Sequence, residues 1–184
     1  MKNKILVFSL LLFSLILFGC EFNNTPTKKV ESLLMKYQNN SESVSKELDD
    51  YVKSEEIDPA YQDKYKEVFL KQYQDLKYEI KDEKIDGNTA EVTAQIEVYD
   101  YYKTQTEVST YITNHQNEFN TNGIFDNNKV LEYKIKELTN TKDKVTYTIV
   151  FNLTKVNDTW TIDNLSEEEL EKIHGTYARS EERR

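Results

Sequence analysis

The stretch Thr89-Ala90-Glu91-Val92-Thr93-Ala94-Gln95-Ile96-Glu97-Val98 decides the fold. Its apolar residues occupy every even position and its polar residues every odd one. Successive strand side chains point to opposite faces, so this is a half-buried antiparallel strand with one face on a core and one in water. Just before it, Asp86-Gly87 is a hairpin turn signal, because both residues tolerate positive φ, and Tyr78 and Ile80 begin the preceding strand. A second alternation runs through Val145, Tyr147, Ile149, Phe151 and Leu153. A turn at Asn157-Asp158 then leads into Trp160 and Ile162. Leu131, Tyr133 and Ile135 also alternate and read as a further strand, with a loop from Asn140 to Asp143 after it.

Upstream the period is 3.6. Thr25 or Thr27 caps a helix with Pro26 in its first turn and Val30, Leu33, Leu34 and Tyr37 on one face. Asn39-Asn40 interrupts, and Val44, Leu48, Tyr51 and Val52 form a second stripe. Asp58-Pro59 opens a third helix striped by Tyr61, Tyr65, Phe69, Tyr73 and Leu76, with Val68 beside it. Thr104 and Glu107 read as a capping box for a fourth helix carrying Val108, Ile112, His115 and Phe119. Residues 120–129 form a polar loop. Ser166 and Glu169 cap a last helix, with His174 placed where a cation suits the helix dipole and Gly175 at its C′ position. The fold class is α+β, with N-terminal helices on the apolar face of an antiparallel sheet and a short C-terminal helix.

The N-terminus has a different character. Lys2 and Lys4 precede an apolar run from Ile5 to Phe18, broken only by Ser9 and Ser14, which ends in Leu17-Phe18-Gly19-Cys20. At about 14 residues it suits a secretory signal and falls short of the roughly 20 that span a bilayer. The ending resembles the lipobox of bacterial lipoproteins. The resemblance implies cleavage before Cys20, a diacylglyceryl thioether on its sulfur and an N-terminus open to further acylation, palmitate included. The protein would then be lipid-anchored on the extracytoplasmic face of the cell membrane. An uncleaved anchor helix from Met1 through Glu21 would be too short and too charged at its ends. The expected organisation is a signal peptide at 1–19, acylated cysteine and tether at 20–26, one α+β domain at 27–177 and a tail at 178–184.

Removing residues 1–19 leaves 165 residues, enough for one domain with a real core. The remaining 22 basic and 33 acidic side chains give a net charge of −11. That balance argues against a nucleic-acid partner, since phosphates call for clustered Lys and Arg, and against broad contact with anionic lipid. Cys20 is the only cysteine, so no intrachain disulfide forms and stability comes from packing.

The residues Asp86-Gly87-Asn88-Thr89-Ala90-Glu91-Val92-Thr93, Tyr99-Asp100-Tyr101, Trp160-Thr161-Ile162-Asp163-Asn164-Leu165-Ser166 and Lys172-Ile173-His174-Gly175-Thr176-Tyr177 carry a second resemblance. In this order the chain resembles the cystatin-like, nuclear-transport-factor-2-like cone fold found in uncharacterised Gram-positive lipoproteins, over most of residues 27–177. The resemblance implies a curved sheet wrapped around N-terminal helices. It brings no catalytic set with it.

Few residues offer chemistry. His115 and His174 have no metal-ligand partner at i+3 or i+4, and no metal or cofactor is expected. His115 reads as a partly buried structural histidine, or else as a polar group in the mouth of a cone-shaped cavity. Asp86-Gly87-Asn88 lacks the alternating ligands of an EF-hand. Glu167, Glu168, Glu169 and Glu171 read as a solvated first turn.

Tyrosine is the one excess, at 13 residues. Tyr99, Tyr101 and Tyr102 fit either a strand end packed on both faces or a rim of amphipathic rings suited to a sugar or peptide, and they form the candidate binding surface. Three functions compete. The first is a non-catalytic binding module for a cell-surface protein or glycan. The second is a small-molecule enzyme with a pocket inside the cone, for which Asp100 and His115 are conceivable groups. The third is a structural envelope protein.

Overall fold

The computed structural model describes residues 24–55 and 57–178. The expected signal peptide, Cys20 and the end of the tail lie outside these residues. Among the described residues three helices come first, as the stripes predict. Helix α1 (Pro26–Gln38) is capped by Thr25, whose side chain accepts from Lys28 N, and buries Val30, Leu34 and Tyr37. Helix α2 (Glu42–Ser54) buries Val44, Leu48 and Val52. Helix α3 (Pro59–Gln74) is capped by the Asp58 carboxylate on Ala60 N and buries Tyr65, Val68, Phe69, Gln72 and Tyr73.

Strands β1 (Lys77–Asp86) and β2 (Thr89–Tyr99) follow, then helix α4 (Tyr101–Asn114) and a 3₁₀ turn at Gln116–Phe119. A two-residue pair, β3 (Asn120–Thr121) and β4 (Ile124–Phe125), leads to helix α5 (Asn127–Asn140). Strands β5 (Lys144–Val156) and β6 (Thr159–Ile162) and helix α6 (Glu167–His174) complete the described residues. The described residues thus form an α+β structure with six α-helices and a four-stranded antiparallel sheet in the order β1-β2-β5-β6.

The two alternating stretches are the central strands and pair side by side, Val92 with Phe151, Ala94 with Ile149 and Ile96 with Tyr147. Ala90, Val92, Ala94, Ile96 and Val98 are buried together with Val145, Tyr147, Ile149, Phe151 and Leu153. Thr146, Thr148, Val150 and Asn152 face water on the other side. Trp160 and Ile173 close the same core. Each large apolar side chain so buried contributes about 1.5–3 kcal/mol. Strand β1 has a bulge after Ile80, where Lys81 and Asp82 together oppose Thr93. The bulge keeps two charged side chains off the core and sets Ile85, rather than its neighbours, opposite Ala90.

Several expectations are corrected. Leu131, Tyr133 and Ile135 lie on helix α5, not a strand. Asp126 caps that helix at Asn128 N, and Ile135 and Leu138 are its buried residues. Tyr133 points elsewhere, stacking on Tyr111 of α4 at 5.0 Å. A helix with apolar residues on two sides mimics a two-residue alternation over so short a window.

Helix α4 starts three residues before the expected capping box. Asp100 is its cap, accepting from Lys103 N, and the Thr104 hydroxyl donates to Asp100 O. The first hairpin's loop is Gly87-Asn88, with only Gly87 at positive φ. The polar loop at 120–129 contains the β3–β4 pair, turning at Asn122-Gly123.

Helix α6 has the expected capping box between Ser166 and Glu169, and it ends on Gly175 at φ +73°. A Cβ on Gly175 would meet Gln72 Nε2 at 2.1 Å and Tyr99 O at 2.2 Å. Gly175→Ala therefore combines left-handed strain with the loss of a buried hydrogen bond, costing about 3 kcal/mol. The melting temperature should drop by ~6–12 °C. Gly123→Ala, at φ +80° with nothing within 4 Å, should cost only about 1 kcal/mol from strain. Thermal melts of the two variants check the contrast.

Candidate functional site

Strand β2 leaves the sheet at Tyr99 and the chain enters α4 two residues later. The side chain of Gln72, fully buried on α3, holds this junction. Tyr99 N donates to Gln72 Oε1 at 2.7 Å, and Gln72 Nε2 donates to Tyr99 O at 3.0 Å and His174 O at 2.8 Å. The three candidate tyrosines consequently go to three environments. Tyr101 is fully buried against Phe69, and its hydroxyl donates to Val68 O at 2.9 Å. Burial pushes that hydroxyl's pKa up. The ring offers no surface, because it belongs to the first turn of a helix and not to a strand end.

Tyr99 is partly buried and fully engaged. Its hydroxyl donates to Asp75 Oδ2 at 2.5 Å, and its ring lies under Lys144 Nζ at 3.5 Å and Lys71 Nζ at 4.4 Å. The hydrogen bond to Asp75, with some desolvation, pushes its pKa up to about 12. Desolvation pulls both lysines down. Only Tyr102 presents its ring freely, at 42% exposure.

Tyr102 opens a shallow depression of about 460 Å³ along α4, lined with it by Gln105, Thr106, Ser109, Thr110 and Thr113. The hydroxyls of Thr106, Ser109, Thr110 and Thr113 each donate to the carbonyl four residues earlier, at 2.8–2.9 Å. With their protons so committed, these oxygens present lone pairs outward and accept. In a chain that is 31% charged, residues 104–117 contain one acid, Glu107, and no lysine or arginine. The face is uncharged, rich in acceptors and begins with an exposed aromatic ring. The sequence carries this as a Thr/Ser/Gln run lacking charge.

Asp100 and His115 do not converge. Asp100 caps the N-terminus of α4 and His115 its C-terminus, which at 1.5 Å per residue separates them by roughly 22 Å. His115 is exposed, where partial burial was expected, and stacks on Tyr111 at 4.0 Å with Nδ1 2.9 Å from Tyr111 O. The α4 helix buries only Tyr101 and Val108, so its last turn remains in water.

His174 is a further correction. The expected cation at the end of α6 is buried, 6% exposed, with Nδ1 2.8 Å from the Tyr73 hydroxyl. It stacks on Tyr51 at 5.0 Å and meets the edge of Phe69. Burial pulls its pKa down to about 4, so at neutral pH it is uncharged and packs as an aromatic ring. Neither His174 nor Gln72 was singled out from the sequence as buried. Gln72 had a readable sign, because it interrupts the apolar stripe of α3 between Phe69 and Tyr73.

The space between helices and sheet is filled by side chains, with Tyr37, Tyr65, Phe69, Tyr73, Tyr101 and Phe151 all below 2% exposure. Among the described residues, no group of three His, Cys, Asp or Glu could hold a metal ion, and no helix is long and apolar enough to cross a membrane.

No protein-family profile matches the chain, and no curated protein matches it. Among solved structures it is similar to ycdA, a presumed lipoprotein from Bacillus subtilis subsp. subtilis str. 168, at 13% identity and a TM-score of 0.43. The match covers 86% of this chain and 50% of that one, so the chain spans half the length of its neighbour. At that level of likeness neither a fold detail nor a residue role passes from one to the other.

His174 makes stability depend on acidity. An unfolded histidine titrates at 6.5 and the folded one at about 4, so the unfolded chain binds more protons between those values and stability rises with pH. The contribution is complete above pH 6.5 and is lost as pH falls toward 4, about 3 kcal/mol in all. Urea unfolding of wild type and His174→Phe at pH 7, 5.5 and 4 should show the wild type losing about that much more.

Proposed function

We propose that the protein is a lipid-anchored, extracytoplasmic binding module with no catalytic role, whose ligand is neutral and rich in hydroxyl groups, a glycan before a protein. The uncharged, acceptor-rich face of α4 beginning at Tyr102 carries this reading. A glycan supplies hydroxyl donors to the outward lone pairs and a sugar face to the Tyr102 ring, and the lack of charge matches a neutral ligand. The enzyme reading needs Asp100 and His115 to face one pocket, and they stand at opposite ends of a helix.

The address rests on the lipobox-like Leu17-Phe18-Gly19-Cys20, which makes residues 1–19 a signal peptide and Cys20 the lipidated residue. The domain then runs over about 27–177 with a tail at 178–184. N-terminal helices on one face of an antiparallel sheet support the likeness to the cystatin-like, nuclear-transport-factor-2-like cone.

Two measurements test the reading. Cys20→Ala should move the protein from the membrane to the soluble fraction, while mass spectrometry finds a diacylglyceryl group on the wild type. Continued membrane retention with no lipid on the wild type refutes the anchor. Tyr102→Ala combined with Thr106→Glu and Thr110→Glu should weaken retention of neutral oligosaccharides from a defined panel by ten-fold or more, with an unchanged circular dichroism spectrum. Equal retention by wild type and variant, or none by either, sinks the site.

A further inference from the structure

The first described residue of the chain is fastened to the far end of the sheet. Asn24 Nδ2 donates to Asp158 O at 2.7 Å, and Trp160 N donates to Asn24 Oδ1 at 3.1 Å. One amide thus bonds both sides of the β5–β6 turn, as an added strand residue would. Three residues on, Thr27 N donates to Glu83 Oε2 at 2.8 Å. Since β1 and β6 are the two edges of the sheet, the start of α1 is pinned to both. The chain therefore enters the domain at a fixed place, beside the turns at 87–88 and 157–158.

Resting on the proposed lipidation of Cys20, we infer that the domain stands on the membrane with this turn end of the sheet facing the bilayer and the α4 face turned away. From Cys20 to Asn24 is four residues, which reach at most ~14 Å when fully extended. So short a tether leaves no slack for the domain to turn over. Strand β2 starts at this end and runs 11 residues to Tyr99, so the entrance to α4 lies roughly 33 Å along the sheet from the turns. Tyr102 is thereby presented outward at the far end.

The bilayer-facing end does not depend on headgroup charge. Lys28 pairs with Glu31 at 2.7 Å, Lys84 lies 3.8 Å from Asp82, and Lys155 lies 3.7 Å from Asp158. Three of its lysines thus lie within 4 Å of an acid, while Lys29 adds a positive charge and Asp86 a negative one. The orientation comes from the clamp and the short tether, and it is the same on neutral and anionic lipid and at high salt.

The lipidated protein has no other thiol, so an engineered cysteine labels uniquely. Asp86→Cys places a fluorophore at the turn end, and Lys142→Cys places one beside the start of β5. Both positions are exposed. The full lipidated chain is reconstituted in phosphatidylcholine vesicles containing a headgroup spin-labelled lipid, with mass spectrometry confirming the lipid on Cys20. The probe at position 86 should be quenched at least five-fold more than the probe at 142, with no change in 0.5 M salt. Inserting ten Gly/Ser residues between Cys20 and Asn24 should bring the two probes together. Equal quenching on confirmed lipidated protein, or a ratio that the insertion leaves unchanged, overturns the orientation while the anchor stands. Absence of lipid on Cys20 overturns the anchor and the orientation with it.

Discussion

One side-chain amide holds the layers of this molecule together. Gln72 offers an acceptor and a donor in the spacing of a peptide group, and Tyr99 pairs with it through both N–H and C=O as one strand residue pairs with another. The pairing joins helix α3 to the last residue of β2, at the point where the strand gives way to a helix. The remaining proton reaches the end of α6. A buried amide left unpaired would cost about 1–3 kcal/mol for each missing bond. An apolar residue here would leave the Tyr99 backbone and the His174 carbonyl without partners in the core. Gly175 has no Cβ because that space is occupied by this amide.

The tyrosines obey the same accounting. Tyr37 donates to Glu47, Tyr101 to Val68 O and Tyr147 to Tyr177 O, while Tyr73 shares a hydrogen bond with His174. A buried tyrosine brings large area and a polar tip that must be met. With their hydroxyls met in this way, these tyrosines are a building material of the scaffold. The candidate surface is instead a helix face with a single aromatic ring and a row of hydroxyls, of which the tyrosine excess marked only the ring.

Much of the fold was legible in the sequence because its strongest elements carry one clean period. The alternations at 90–98 and 145–153 became paired central strands, and the stripes of α1, α2 and α3 became buried faces. Legibility failed where a segment serves two neighbours. Helix α5 packs on both α3 and α4, so its apolar residues lie on two sides and their spacing reads as a strand. At Tyr99 to Tyr102 the chain changes period within four residues, and the true cap, Asp100, is hidden between aromatic residues. His174 looked like a surface cation because the last turn of a helix is usually wet. Its burial depends on Tyr51, Phe69 and Tyr73, more than a hundred residues away, and no local pattern reports that. Of the three tyrosines in the candidate surface only Tyr102 is exposed, while the hydroxyl row beyond it reads locally only as a weak helix.

The clamp of Asn24 on the β5–β6 turn and the insertion of His174 among the rings of α2 and α3 tie both ends of the described fold, over separations of 136 and 101 residues. Contacts this distant form late, because the loop they close must be gathered first. A chain emerging N-terminus first from a ribosome lacks β6 and α6 until residues 159–174 are released. Until then the ring cluster lacks His174, the β5 edge is open, and the Gln72 amide misses one acceptor. The core is thus completed only once the segment from Thr159 to His174 is free to pack.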